Sequence, residues 1–207
     1  EELVRQQLPQ LPNDHLIVEP ALRNTGPAVG LECALLEARY PGCTVASLGS
    51  DHYIGRPEEF CRILEAAAEA ADREPDYLFT VGIKPTRAET GYGYIRYEGE
   101  ARRVGSHDVY KVGEFTEKPD LKIAEVFVKK GDYLWNSGMF VWSVDAFFAA
   151  LLSHHPEMHA QVEEMGSDAE VIARVYPTME RVSVDYGLME RADNVAVIPA
   201  DIDQTGA

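Results

Sequence analysis

Apolar positions along this chain switch repeatedly between a strand-like and a helix-like spacing, and that alternation predicts an α/β domain. His15 to Val18 is a short apolar run with strand character. Thr25, Gly26 and Pro27 then open a helix whose stripe is Val29, Cys33 and Leu36, with Pro27 near its first position. Thr44 to Leu48 reads as a short buried strand. Pro57 to Ala71 comes next as a second helix, with Phe60, Ile63, Leu64 and Ala67 at helical spacing. Tyr77 to Ile83 reads as another buried strand. Two β-α units and a further strand predict a largely parallel central sheet.

The second part is more mixed. Tyr94 to Tyr97 and Val109 to Phe115 read as strands of a smaller antiparallel part, and Leu121 to Lys130 as an amphipathic helix. Met139 to Trp142 predicts a strand, and Val144 to Leu152 a helix with Ser143 as its N-cap. Ser167, Asp168, Ala169 and Glu170 match a capping box. Ser183 is placed as the cap of a helix through Ala192, and Val195 to Pro199 is the last strand. No internal repeat or Gly/Ser-rich linker divides the chain, so residues 1–207 are expected to be a single domain. It opens at Glu1 without a Met and stops at Ala207 just after an apolar run, so it is expected to be incomplete at both ends.

Composition narrows the function. The chain is 45% hydrophobic and 26% charged, an ordinary globular balance. Its 35 acidic against 19 basic residues give a formal charge of −16, which argues against a nucleic-acid surface. A mononucleotide stays open, because a few local donors and a metal can hold one. No apolar run approaches a membrane span and no signal peptide opens the chain, so no membrane partner is expected. Cys33, Cys43 and Cys61 are odd in number and lack metal-ligand spacing, which predicts reduced thiols in a cytoplasmic protein.

Several polar motifs punctuate the elements. Glu19-Pro20-Ala21-Leu22-Arg23-Asn24-Thr25-Gly26 is a strand-to-helix turn at a helix N-terminus, suited to an anion or a base edge. Gly49-Ser50-Asp51-His52 lies at the carboxyl end of a strand, where open α/β sheets bind ligands. Gly91 and Gly93 end a long polar loop and allow a ligand close to the backbone. Glu117-Lys118-Pro119 and Asn136-Ser137-Gly138 bring together an acceptor, a cation and a carboxamide, the mixture that a sugar phosphate needs. Each motif alone also fits capping or turn chemistry. His155 and His159 are four apart, but Pro156 interrupts the helix and no third ligand is near.

In chain order the sequence carries EPALRNTGPAVG, GSDH, GIKPTRAETGYGYI, FTEKPD, YLWNSGMF and VSVDYGLME. That series resembles the sugar-nucleotide pyrophosphorylases, and within them the mannose-1-phosphate guanylyltransferases, across roughly residues 15 to 200. The resemblance implies a Rossmann-like, GT-A-like nucleotidyltransferase domain, and an enzyme that moves GMP from GTP to mannose 1-phosphate with Mg²⁺ as cofactor. It implies Asp51 as a metal ligand and, with Lys118, a catalytic residue. Glu19 takes the place of a guanine reader, since a carboxylate accepts both N–H groups of that edge. Arg23, Asn24 and Thr25 fall beneath the base. Gly93, Glu117 and Asn136 fall at the hexose, Lys118 at the sugar phosphate, and Asp185 at a supporting position.

Two departures qualify the resemblance. The family's Gly-rich phosphate loop would precede Glu1. Its second metal-binding Asp would fall on Gln204, with Asp203 one residue away, so the chain as given is expected to bind Mg²⁺ weakly and turn over little. Two rival readings stay open: a pyrophosphorylase for another hexose phosphate or nucleotide, and a silent sugar-nucleotide-binding homologue. Whether the chain forms a homo-oligomer is also left open.

Overall fold

The structure is a computed structural model that describes residues 2–202 and 204–205. In chain order it comprises α1 (Glu2–Gln7), α2 (Thr25–Arg39), β1 (Thr44–Ser47), β2 (Tyr53–Ile54), α3 (Pro57–Arg73), β3 (Leu78–Ile83), β4 (Tyr94–Val104), β5 (His107–Thr116), α4 (Leu121–Lys130), β6 (Tyr133–Ser143), α5 (Val144–His154), α6 (Pro156–Met165), α7 (Ala169–Val175), β7 (Val195–Ala200) and β8 (Gln204–Thr205). Single 3-10 turns occupy Asn13–His15 and Tyr176–Thr178, and a π-helical turn occupies Asp185–Met189.

The α/β class expected from the periodicity forms, but the strand directions correct the expected parallel sheet. Six strands lie in the order β1-β6-β3-β7-β5-β4, and only β3 and β7 run parallel. The reason is β6. It inserts antiparallel between β1 and β3, separating the two strands that the β-α spacing would have made neighbours. β6 also pairs at its other end with β4, so that β4 returns onto a strand near the start of the order. Ile95, Leu134 and Val197 cluster inside this curl. Gly82 faces the same interior, and a Cβ there would lie 2.7 Å from both Leu134 Cδ1 and Val197 Cγ2.

Successive strand residues point to opposite faces, and two cores result. Leu78, Phe140 and Trp142 join Phe147, Val162 and Tyr176 on one side. Phe79, Val81, Met139 and Val141 meet Ile63, Ala66, Ala67 and Ala70 of α3 on the other. The small alanines let α3 lie close to the sheet. Trp142 is fully buried between Phe140 and Phe147, and truncating such a ring to Ala costs about 3–5 kcal/mol.

Local expectations hold where a cap and a periodic stripe agree. α4 spans the expected Leu121–Lys130, closed by Asp120 at its start and by left-handed Gly131 at its end. Ser143 caps α5 by accepting from Ala146 N at 3.0 Å. Three expectations are corrected. His15 to Val18 forms no strand: its apolar run finds no sheet neighbour among the described residues, and Ile17 and Val18 stay exposed. The cap of α7 is Asp168, not Ser167; its carboxylate accepts from Glu170 N and Val171 N. Ser183 does accept from Tyr186 N at 3.3 Å, but the element it opens is the π-helical turn ending at Met189. Among the described residues no helix is long and apolar enough to cross a membrane. Cys33 is buried, Cys43 half-buried and Cys61 exposed, all as free thiols.

Candidate active site

The site begins with an irregularity in β6. Its register with β3 runs Phe79↔Val141 and Thr80↔Phe140, then jumps to Gly82↔Asn136. The extra residues form a bulge, which re-aims side chains out of the regular alternation. Gly138 carries it with φ +69, a left-handed backbone that glycine adopts without steric cost. Ser137 anchors it by donating to the Val81 carbonyl at 2.7 Å. The NSG triplet is thus a bulge signature.

The bulge leaves Asn136 with a defined amide. Its Oδ1 accepts from Gly138 N at 3.3 Å and lies 3.1 Å from the Thr80 hydroxyl. Its Nδ2 donates to Asp185 Oδ1 at 2.7 Å. One N–H remains. The backbone N–H of Asn136 donates to the Gly93 carbonyl at 2.8 Å, which fixes the start of β4 against the bulge.

Gly93 is buried against two of the expected site residues. A Cβ there would lie 2.4 Å from Glu117 Oε2 and 3.2 Å from Asn136 Cβ. Glu117 is held through its backbone and through one carboxylate oxygen. Its N–H donates to Glu190 Oε1 at 2.7 Å, and its Oε1 pairs with Lys118 Nζ at 2.7 Å. Its Oε2 is buried without a hydrogen-bond partner among the described residues. The Glu117 side chain is 8% exposed and that of Lys118 55%, so the ammonium is open to a ligand while the carboxylate is enclosed. Lys118 has φ +48, a conformation that costs a non-glycine residue energy and marks constrained loops.

The electrostatics follow from this enclosure. Burial, and then the charge of Glu117, push the Asp185 carboxyl up to about 6, against the opposing effects of the Asn136 donor and Lys118. The hydrogen bond to Glu117 holds the Lys118 ammonium above the ordinary lysine range.

The turn before α2 forms a second group. Asn24 caps the helix from a left-handed backbone, accepting from Thr25 N at 2.8 Å. Thr25 Oγ1 accepts from Val184 N at 3.0 Å, and Gly26 N donates to the Val182 carbonyl at 3.0 Å. A Cβ at Gly26 would meet that carbonyl at 2.7 Å, so only glycine permits the approach. Arg23 donates to the Pro177 carbonyl, and its buried Nε has no partner among the described residues. Glu19 is exposed, and its Oε2 accepts from the Tyr176 hydroxyl. Burial and the adjacent carboxylate push the Tyr176 phenol up, so it stays a donor.

The two groups are joined by residues 176–190, of which the sequence motifs flagged only 182–190. It gives Tyr176 to Glu19, Pro177 to Arg23, Val184 to Thr25, Asp185 to Asn136 and Glu190 to Glu117. Thr80 and Tyr176 carry no spacing signal in the sequence, and Glu190 closes the VSVDYGLME segment. Asp185 sits in the VSVDYGLME segment, the one signal that could have promoted it.

Asp51 stands apart. Its side chain is 74% exposed, and its Oδ1 lies 4.0 Å from His52 Nε2. Among the described residues no three His, Cys, Asp or Glu side chains group as a metal cage. A single exposed carboxylate does fit the other way of holding Mg²⁺, with one or two protein carboxylates beside substrate phosphates and water. β2 pairs with β8, setting Ile54 opposite the backbone of Gln204. Asp203 and the Gln204 side chain, the two candidates for a second ligand, lie outside the described residues. His155 and His159 pair with Glu180 and Glu163.

Comparison with known proteins bears on the whole chain. A family model for nucleotidyl transferases matches residues 1–197. The mannose-1-phosphate guanylyltransferase of Escherichia coli is 33% identical over 202 residues, covering 92% of this chain and 42% of that protein. The mannose-1-phosphate guanylyltransferase of Salmonella montevideo is 35% identical over 210 residues, covering 95% of this chain and 43% of that protein. The chain therefore spans less than half the length of these curated relatives. Among solved structures, a mannose-1-phosphate geranyltransferase from Thermus thermophilus superposes with a TM-score of 0.83 at 29% identity, covering 99% of this chain and 64% of that one.

Proposed function

The chain belongs to the nucleotidyl transferase family, and from that premise we propose that it binds GTP and mannose 1-phosphate and serves transfer of GMP between them. The observation that carries the hexose side is the buried, unpartnered Oε2 of Glu117. A buried acceptor left unpaired costs about 1–3 kcal/mol, and a sugar hydroxyl donating to it would remove that cost. The remaining N–H of Asn136 and the exposed Lys118 ammonium supply what Glu117 lacks, a donor for a hydroxyl oxygen and a cation for a phosphate. Gly93 leaves the space that the Glu117 carboxylate occupies beside Asn136.

The nucleotide side is the Glu19 to Thr25 turn. Glu19 has Oε1 and the second lone pair of Oε2 available for the two N–H groups of guanine. The Tyr176 hydroxyl bond would hold that carboxylate in one orientation. Mg²⁺, carried by the nucleotide phosphates and met by Asp51, would neutralise phosphate charge. The reaction itself needs no protein nucleophile. An oxygen of the sugar phosphate forms the new bond to the α-phosphorus of GTP as the bond to pyrophosphate breaks. The protein's share is to bring the two together and to fix their orientation. The free thiols and the acidic surface suit the cytoplasm.

Calorimetric titration of the chain with mannose 1-phosphate and with GTP and Mg²⁺ tests this reading, with glucose 1-phosphate and UTP as the competing pair. Tighter binding of the mannose and guanine ligands supports it. Equal binding of both pairs would leave a less selective pyrophosphorylase. Binding without pyrophosphate release in a coupled assay would favour a sensor.

A further inference from the structure

An amide can present either its oxygen or its nitrogen to a ligand, and the two ends of Asn136 are nearly equal in shape. What selects between them is the set of partners around it. The Thr80 hydroxyl can donate or accept, so it tolerates both orientations. The Gly138 N–H can only donate and lies at 3.3 Å, a long bond. Asp185, when ionised, can only accept, and its 2.7 Å contact is the shortest of the three. We infer that Asp185 is a positioning residue for the sugar-phosphate half of the site: its carboxylate pins the Asn136 amide with one N–H turned toward the ligand. Its place at the start of the π-helical turn, one residue after Val184, ties the same carboxylate to the Thr25 cap.

A consequence is a pH dependence. The groups facing Asp185 are Glu117 and Lys118 from the loop after β5, and the neutral Asn136 amide from β6. Within its own turn, the Glu190 N–H donates to the Asp185 main-chain carbonyl, and the Glu190 carboxylate is bonded to the Glu117 N–H. A protonated Asp185 can donate to the Asn136 oxygen as readily as it accepts from the nitrogen. The amide then keeps only the long Gly138 N–H bond to favour its orientation, and a larger share of its population turns an oxygen toward the ligand. The carboxyl's midpoint of about 6 places this change between pH 7 and pH 5.

The inference rests on the proposed hexose reading only for the identity of the ligand, so its test has two arms. In the first, no ligand is present. The side-chain amide resonances of Asn136 are followed by NMR from pH 8 to pH 5 in the wild type and in Asp185→Asn. A shift with a midpoint near 6 that disappears in the variant supports the coupling. An Asn136 amide that does not respond to pH in the wild type overturns it, whatever the protein binds. In the second arm, mannose 1-phosphate is titrated calorimetrically into both proteins at pH 7.5 and pH 5.5. The variant should bind about tenfold more weakly at pH 7.5 and show the smaller loss on acidification. The ligand's own phosphate titration is common to both proteins and cancels in that ratio. Equal affinity and equal pH slopes would overturn the positioning role. Failure of both proteins to bind the sugar, with the NMR coupling intact, would instead count against the hexose reading alone.

Discussion

The surroundings of Asn136 and those of Asp51 hold the same kind of group in opposite ways. Asn136 is braced by β3, β4 and the 176–190 stretch, and beside it Glu117 is enclosed with an oxygen left unpaired. Asp51 sits on an exposed loop between β1 and β2, with the His52 ring 4.0 Å from its carboxylate. The first region is built before any ligand arrives. The second is open, and under the proposed reading it would become a site only when a ligand brings charge to it. Rigid hydroxyl recognition benefits from preorganised partners, whereas a hydrated metal on a flexible triphosphate tolerates an open carboxylate.

The sharpest way to break this contrast is Gly93→Ala. The new methyl would fall where Glu117 Oε2 now lies, within 2.4 Å, and would press on Asn136 Cβ at 3.2 Å. Glu117 Oε2 is the end of a flexible side chain and will move, so the fold should survive. Mannose 1-phosphate affinity should fall about a hundredfold, ~2.7 kcal/mol, while GTP affinity changes little. Parallel calorimetric titrations of the two ligands check this, and an equal loss for both would contradict the division of the site.

Asp185→Asn tests whether the braced region carries a stability cost. The Asp185 carboxyl is raised to about 6 in the fold from 3.8, so between those values the native state holds a proton that the unfolded chain has released. Stability attributable to this group is therefore greatest at low pH and falls as pH rises through that window. The variant should be more stable than wild type at pH 7.5, by on the order of 1–3 kcal/mol, and the gain should vanish near pH 4. Thermal melts at the two pH values measure it; a variant less stable at pH 7.5 would refute the sign.

Tyr176→Phe probes the nucleotide side, which is intermediate between the two regions. It keeps the buried ring and removes the hydroxyl bonded to Glu19. Preference for GTP over UTP should fall by about 1 kcal/mol, roughly fivefold, with mannose 1-phosphate binding unchanged. A competition titration that shows no change would remove Tyr176 from the role.

The smallest effect is expected at the open end. Asp51→Ala should shift stability by no more than about 0.5 kcal/mol, since it breaks no buried contact. It should also leave mannose 1-phosphate binding intact and weaken GTP only when Mg²⁺ is present. A clear loss of melting temperature would show that the loop is braced after all.

Much of this was legible in one dimension. α4 was bounded to the residue because Asp120, an amphipathic stripe and Gly131 agree. Phe115 to Asp120 and Tyr133 to Phe140 were recognisable as motifs, and the structure brings Gly93, Glu117, Lys118 and Asn136 into one cluster. Other features were not legible. The Met139 to Trp142 strand begins in the structure at Tyr133, because the bulge at Ser137 and Gly138 breaks the period that would have shown it. Glu190, Thr80 and Tyr176 act through partners 56 to 157 residues away, and no local spacing encodes such pairs.

By itself, then, the sequence determined the elements in which a cap and a periodic stripe agree, such as α4 and α5, since those depend on signals within a few residues. It also determined the inventory of chemistry: a carboxylate, a cation, a carboxamide and the glycines beside them. Tertiary structure alone decided that β6 runs antiparallel between β1 and β3, because strand order depends on competition among distant edges. It alone decided that Asp185 meets Asn136, that Tyr176 holds Glu19 and that one oxygen of Glu117 is left without a partner. Burial and hydrogen-bond geometry are properties of the packed whole, and they turn an inventory of polar residues into an oriented site.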